Sequence, residues 1–99
     1  MARSDREIRG VLRRKIRRNG SAVELVKLME ECGELVQAAA RMMVGRIDVQ
    51  DIEHLAEEMG DVEICMEQMR MIFPGLRRME DAWIEEKLDR LEEANRGER

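Results

Sequence analysis

Ninety-nine residues suffice for one domain with a modest core, and are few enough that a second copy would help to bury apolar surface. With 40% charged residues, one Pro, one Phe, one Trp and no Tyr, the composition argues against a sheet protein and for helices rich in Leu, Met, Ala, Glu and Arg. No uncharged run approaches the roughly 20 residues of a bilayer span and no signal-peptide core is visible, so a cytoplasmic protein that does not enter a membrane is expected. Cys32 and Cys65 are too few for a disulfide framework and are expected as reduced, semi-buried thiols.

The first helix is predicted over residues 4–18. Ser4 or Asp5 can cap it, Ile8, Val11, Leu12 and Ile16 form its apolar stripe, and Asn19-Gly20 ends it. This segment, residues 1–20, holds Arg3, Arg6, Arg9, Arg13, Arg14, Lys15, Arg17 and Arg18, while the rest of the chain is acidic by comparison. Such a helix could meet nucleic acid or an anionic membrane. No aromatic residues interleave with the arginines, and a solvated face paired with acidic neighbours is the reading adopted.

A second helix is predicted over residues 21–44, opened by a Ser21–Glu24 capping box and closed by Gly45. Its main seam reads Leu25, Met29, Cys32, Val36, Ala39 and Met43. Leu28, Leu35, Ala38 and Met42 widen the seam on one side; Val26, Gly33 and Ala40 widen it on the other. A helix so broadly apolar belongs in the middle of a bundle or at a subunit contact. The third helix, residues 48–73, starts at Asp48 with Asp51 three residues on and stops at Pro74-Gly75. Its seam is Ile52, Leu55, Met59, Val62, Met66, Met69 and Phe73. A short link makes these two helices an antiparallel hairpin. The last helix, residues 76–95, carries Leu76, Met79, Trp83, Leu88 and Leu91, with Trp83 expected in the core. A single all-α domain over residues 1–99 follows, a four-helix bundle-like fold with a central antiparallel hairpin, assembling as a dimer or higher oligomer.

Two stretches stand out on this background: Glu30-Glu31-Cys32-Gly33-Glu34 and Glu57-Glu58-Met59-Gly60-Asp61. Acids three or four apart share a helix face. Projection at about 100° per residue turns Glu31 and Glu34 inward on one helix and Glu58 and Asp61 inward on the other, with Glu30 and Glu57 further out. Carboxylates packed together on apolar faces need protons or cations. An all-oxygen ligand set selects a hard cation, Mg²⁺ or Mn²⁺, rather than zinc. Gly33 and Gly60, costly inside helices, suggest a close approach of backbone or ligand. His54 is read as a surface or rim residue, since a bundle di-iron site would need Glu three residues before it and Asp51 stands there.

Glu31-x-x-Glu34 followed after a hairpin by Glu58-x-x-Asp61 resembles the two signature blocks of the MazG-like nucleotide pyrophosphohydrolases, within the all-α NTP pyrophosphatase superfamily. Residues 86–91, Glu-Lys-Leu-Asp-Arg-Leu, are similar to that family's C-terminal basic element, and residues 21–95 would be the catalytic helices. The resemblance implies Mg²⁺-dependent hydrolysis of a nucleoside triphosphate to the monophosphate and pyrophosphate, in nucleotide-pool housecleaning. It implies Glu31, Glu34, Glu58 and Asp61 as metal ligands, and Lys87 and Arg90 as phosphate-binding residues. It also implies a homodimer or homotetramer. One of the four carboxylates would accept the water's proton, and Glu34, at the rim and less committed to burial, is the one expected to do so. A phosphoribosyl-ATP-, dUTP- or dCTP-directed enzyme of the same superfamily would use the same acids. A non-catalytic helical interaction module is the alternative from another class.

Overall fold

The computed structural model describes residues 2–97, which form four helices joined by short links: α1 (Asp5–Asn19), α2 (Ser21–Arg41), α3 (Val49–Ile72) and α4 (Leu76–Gly97). No strand occurs among the described residues, and no helix is long and apolar enough to cross a membrane.

Local chemistry sets most helix ends. Ser4 accepts from the Glu7 backbone N–H at 3.2 Å and Glu7 accepts from the Ser4 N–H at 3.2 Å, a reciprocal cap that opens α1. Asp48 and Asp51 repeat that pattern at the start of α3, at 2.9 and 3.1 Å. Gly20, Gly45 and Gly75 take φ of 84°, 74° and 83° at the three turns, where a side chain would be strained. The expected Ser21–Glu24 capping box does not form. Gly20 occupies the N-cap with no side-chain hydrogen bond, because Glu24 is drawn into the interior instead.

The hairpin of α2 and α3 is the body of the fold, with α1 laid against both of its helices. The inward stripe of α2 is Glu24, Leu28, Glu31, Leu35, Ala38 and Met42; that of α3 is Asp51, Leu55, Glu58, Val62, Cys65, Met69 and Ile72. Both advance in alternating steps of four and three, the spacing of interlocking helices. The apolar seam expected on α2 is therefore its outward face: Met29, Val36 and Met43 are 66%, 68% and 87% exposed. The seam expected on α3 is half inward, with Ile52, Met59 and Phe73 exposed.

A buried polar network fastens α1. Lys15 Nζ donates to Glu24 Oε2 and to Gln68 Oε1, each at 3.1 Å, and Asn19 Nδ2 donates to Glu24 Oε1 at 2.8 Å. Glu24 and Gln68 are fully enclosed. Burial alone would raise the Glu24 carboxyl, but the Asn19 and Lys15 hydrogen bonds and the Lys15 charge outweigh it and hold the group below its usual range.

The fourth helix does not close the bundle within the chain. It packs mainly against α3, contributes no buried residue, and leaves Trp83, Leu88 and Leu91 more than half exposed. Trp83 is thus a surface residue, with Lys87 Nζ lying 5.9 Å from its ring centroid. Arg70 anchors the near end of α4 through two bonds to Glu80, at 2.6 and 2.8 Å. The radius of gyration of 17.0 Å exceeds the roughly 13 Å of a compact chain of this length.

Replacing Lys15 with Met leaves Glu24 buried without its counter-charge and is expected to cost about 2 to 3 kcal/mol in urea unfolding at neutral pH. Because the folded Glu24 carboxyl is held low, its contribution is present above the ordinary carboxylate range and is lost as pH falls through the folded value. The wild-type and Lys15→Met unfolding curves should therefore converge on acidification.

Candidate metal centre

Glu31 and Glu34 on α2 meet Glu58 and Asp61 on α3 across the hairpin, each offering one oxygen so that all four atoms lie within 4.8 Å of one another. The sequence-based selection of these four acids matches the group that the structure brings together. Glu58 is buried, Glu31 and Asp61 are half-buried and Glu34 is exposed, so the cluster opens to solvent on the Glu34 side. Glu31 and Glu58 fall in the inward stripes themselves, at positions that an apolar residue would otherwise fill.

These acids lack the partners that buried carboxylates need. Oε2 of Glu31 and Oε2 of Glu58 are shut off from solvent with no hydrogen-bond donor. Burial, reinforced by the charges of Glu34, Asp61 and Glu58, pushes the Glu31 carboxyl above its usual range. Burial also raises Glu58, together with hydrogen bonding and charge from Glu34 and the charge of Asp61, while His54 opposes the rise. Opposite oxygens around an octahedral Mg²⁺ stand about 4.2 Å apart, close to the spread of this group. A hard divalent cation would satisfy both buried oxygens and the mutual repulsion at once.

His54 stands nearer the cluster than its sequence position suggests. Its Nδ1 is 3.7 Å from Glu57 Oε1 and 3.9 Å from Glu58 Oε1, and these three residues form a second, overlapping group of possible ligands. Its placement four residues before Glu58, on the same helix face, is the signal that a search for Glu-x-x-His passes over.

A cavity of about 410 Å³ adjoins the cluster, lined by Glu31 and Asp61, by Lys15 and Lys27, and by Val11, Leu12 and Ile64 as apolar wall. The first helix thus roofs the space beside the acids. Lys27 lies one turn before Glu31 and is engaged only by a 3.9 Å contact with Glu30. Neither Lys87 nor Arg90 lines this cavity: Arg90 Nη2 donates to Glu86 at 2.8 Å and Lys87 covers Trp83. The close approach expected at Gly33 and Gly60 is likewise missing, since a Cβ at either would meet nothing within 4 Å. Cys32 is exposed and Cys65 buried, where desolvation raises its thiol.

No protein-family model, no curated protein and no solved structure matches this chain.

A carboxyl raised in the fold binds its proton more readily there than in the unfolded chain. In chelator, the stability held by Glu31 and Glu58 is therefore lost as pH rises from the ordinary carboxylate range through their raised values. At neutral pH, Mg²⁺ at about a hundred times its dissociation constant is expected to raise the melting temperature by on the order of 10 °C. Glu58→Gln should melt higher than wild type in chelator and lose most of the Mg²⁺ response. A fluorescence melting series across pH checks all three statements.

Proposed function

We propose that the chain is a MazG-like nucleoside triphosphate pyrophosphohydrolase, dependent on Mg²⁺ with Mn²⁺ as a substitute, that releases a nucleoside monophosphate and pyrophosphate in the cytoplasm. The observation that carries this reading is the convergence of four carboxylates in which two buried oxygens have no donor. Glu31, Glu58 and Asp61 would hold the ion with Glu34. A bound divalent cation neutralises charge on a triphosphate and on its leaving pyrophosphate.

The chain's own residues supply the remaining parts. Glu34, the exposed member of the four, would take a proton from the water that attacks the α-phosphorus. Lys27 offers positive charge to phosphate oxygens at the mouth of the adjoining cavity. Val11, Leu12 and Ile64 offer an apolar wall for the nucleoside. Lys87 and Arg90 remain the phosphate-binding pair that the resemblance implies, and in an assembly α4 would carry them toward a neighbouring copy.

A homodimer or homotetramer belongs to the same reading. A compact chain of 11.6 kDa exposes about 5,800 Å². This one exposes 8352 Å², an excess of the size that obligate interfaces cover. The outward stripe of α2 and the stripe of α4 from Met79 to Leu91 supply the apolar surface for such contacts. Sedimentation should give two or four chains per particle, and Leu88→Glu with Leu91→Glu should shift the distribution toward single chains.

Activity is tested by pyrophosphate release from a panel of canonical and damaged nucleoside triphosphates, with phosphoribosyl-ATP included. Turnover should require Mg²⁺ or Mn²⁺ and vanish in chelator. Glu58→Gln should fall by at least about a hundredfold, and Lys27→Ala should act mainly by raising KM. A well-folded protein inert on every substrate would replace the enzyme with a helical interaction module.

A further inference from the structure

The arginines of α1 are not spent evenly on solvent. Arg9 and Arg13, one turn apart, face a recess of about 380 Å³ between α1, α3 and the first turn of α4. Arg70 and Arg77 line its other side, Ile16 and Met71 add apolar lining, and Glu67 is its single acid. An adjoining recess of about 300 Å³ shares Arg9, Glu67 and Arg77. Four guanidinium groups meet Glu67 here, with Glu80 bonded to Arg70 and Asp5 lining the adjoining recess, so the surplus of positive charge rests on Arg9 and Arg13 in a chain of net charge −4.

The four differ in what they have left to give. Arg70 is committed, with two bonds to Glu80 and a third from Nη1 to Glu67 Oε2 at 3.1 Å. Arg77 shares the same Glu67 oxygen at 3.1 Å and keeps donors free. Arg9 and Arg13 make no ion pair and no side-chain hydrogen bond with any described residue, whereas Arg14 bonds the Gly10 carbonyl and Arg70 and Arg77 bond Glu67. The acidic neighbours expected to pair with the basic face are therefore missing at these two positions. Arg9 and Arg13 on α1 and Arg77 on α4 line the same recess, which is the place where an anion would join α1 to α4.

We propose that this recess binds a small anion bearing two or more phosphate groups, held by Arg9 and Arg13 from α1 and by Arg77 from α4. Planar guanidinium forks match phosphate oxygens in pairs, and a diphosphate supplies enough charge and acceptors for several at once. A singly charged anion would leave one of the two unpaired arginines unmatched. The site uses no residue of the acidic cluster and stands whether or not the hydrolase reading holds.

The test is calorimetric titration of the full chain with inorganic pyrophosphate in chelator, so that no cation can link the probe to the acids. One saturable site per chain is expected, weakening as salt is raised. Arg9→Gln with Arg13→Gln should lower affinity at least tenfold while the far-ultraviolet spectrum and melting curve show an intact fold. Glu58→Gln should bind as wild type does. Three outcomes overturn the proposal: no saturable binding, equal loss on replacing the surface pair Arg17 and Arg18, or tighter binding of a short DNA duplex than of pyrophosphate.

Discussion

Everything in this fold is arranged around a conflict between packing and charge. The spacing that locks α2 onto α3 favours apolar residues at inward positions, yet mid-way along each stripe, apart from Glu24 and the cap residue Asp51 near the helix starts, stand Glu31 and Glu58. Glu34 and Asp61 add like charge on the same side. A hairpin that brings carboxylates together in its interior is working against its own association unless something of opposite sign sits among them. Elsewhere in the chain the same kind of burden is settled internally: Glu24 is just as deeply enclosed, and Lys15, Asn19 and Gln68 gather around it. That contrast separates an acid with partners inside the chain from acids whose buried oxygens have none. Burial alone would not have distinguished them.

The second constraint is surface. Among the described residues only Leu12, Ala38, Val62, Cys65 and Met69 make up the buried apolar core, a small yield for a chain with 43% hydrophobic residues. Much of the remaining apolar content is exposed, on the outward side of α2 and along α4 above all. A chain with its interior partly given over to carboxylates, and much of its apolar content outside, has little room to be stable alone.

The helices, their order and the four acids could all be read from the sequence, because each rests on a local rule: reciprocal caps at Ser4 and Asp48, glycines at turns, and acids three apart on one face. What could not be read was rotation. On α2 the stripe through Leu25, Met29 and Val36 is more uniformly apolar than the stripe through Glu24, Leu28 and Glu31, so periodicity alone selects the outer one. The capping box at Ser21 failed for the same reason, since Glu24 serves the interior rather than the helix end. Trp83 and the pair Lys87 and Arg90 depend on what lies across from α4, which no single-chain pattern contains. The cavity beside the acids needs α1, whose placement comes from a network spanning Lys15 to Gln68, beyond the reach of spacing rules.

The single-residue corner at Gly20 has a consequence for the order in which the molecule assembles. Asn19 and Lys15 reach Glu24 across five and nine residues of chain, whereas Glu31 must find Glu58 across 27. Chain entropy alone makes the longer closure dearer than the nine-residue one by about 1 kcal/mol. Repulsion among the acids adds to that difference, while Lys15 draws Glu24 in. The α1–α2 corner can therefore form whatever ions are present. Closing the α2–α3 loop is the step that a dissolved cation would ease, which makes the ionic medium a term in the folding rate.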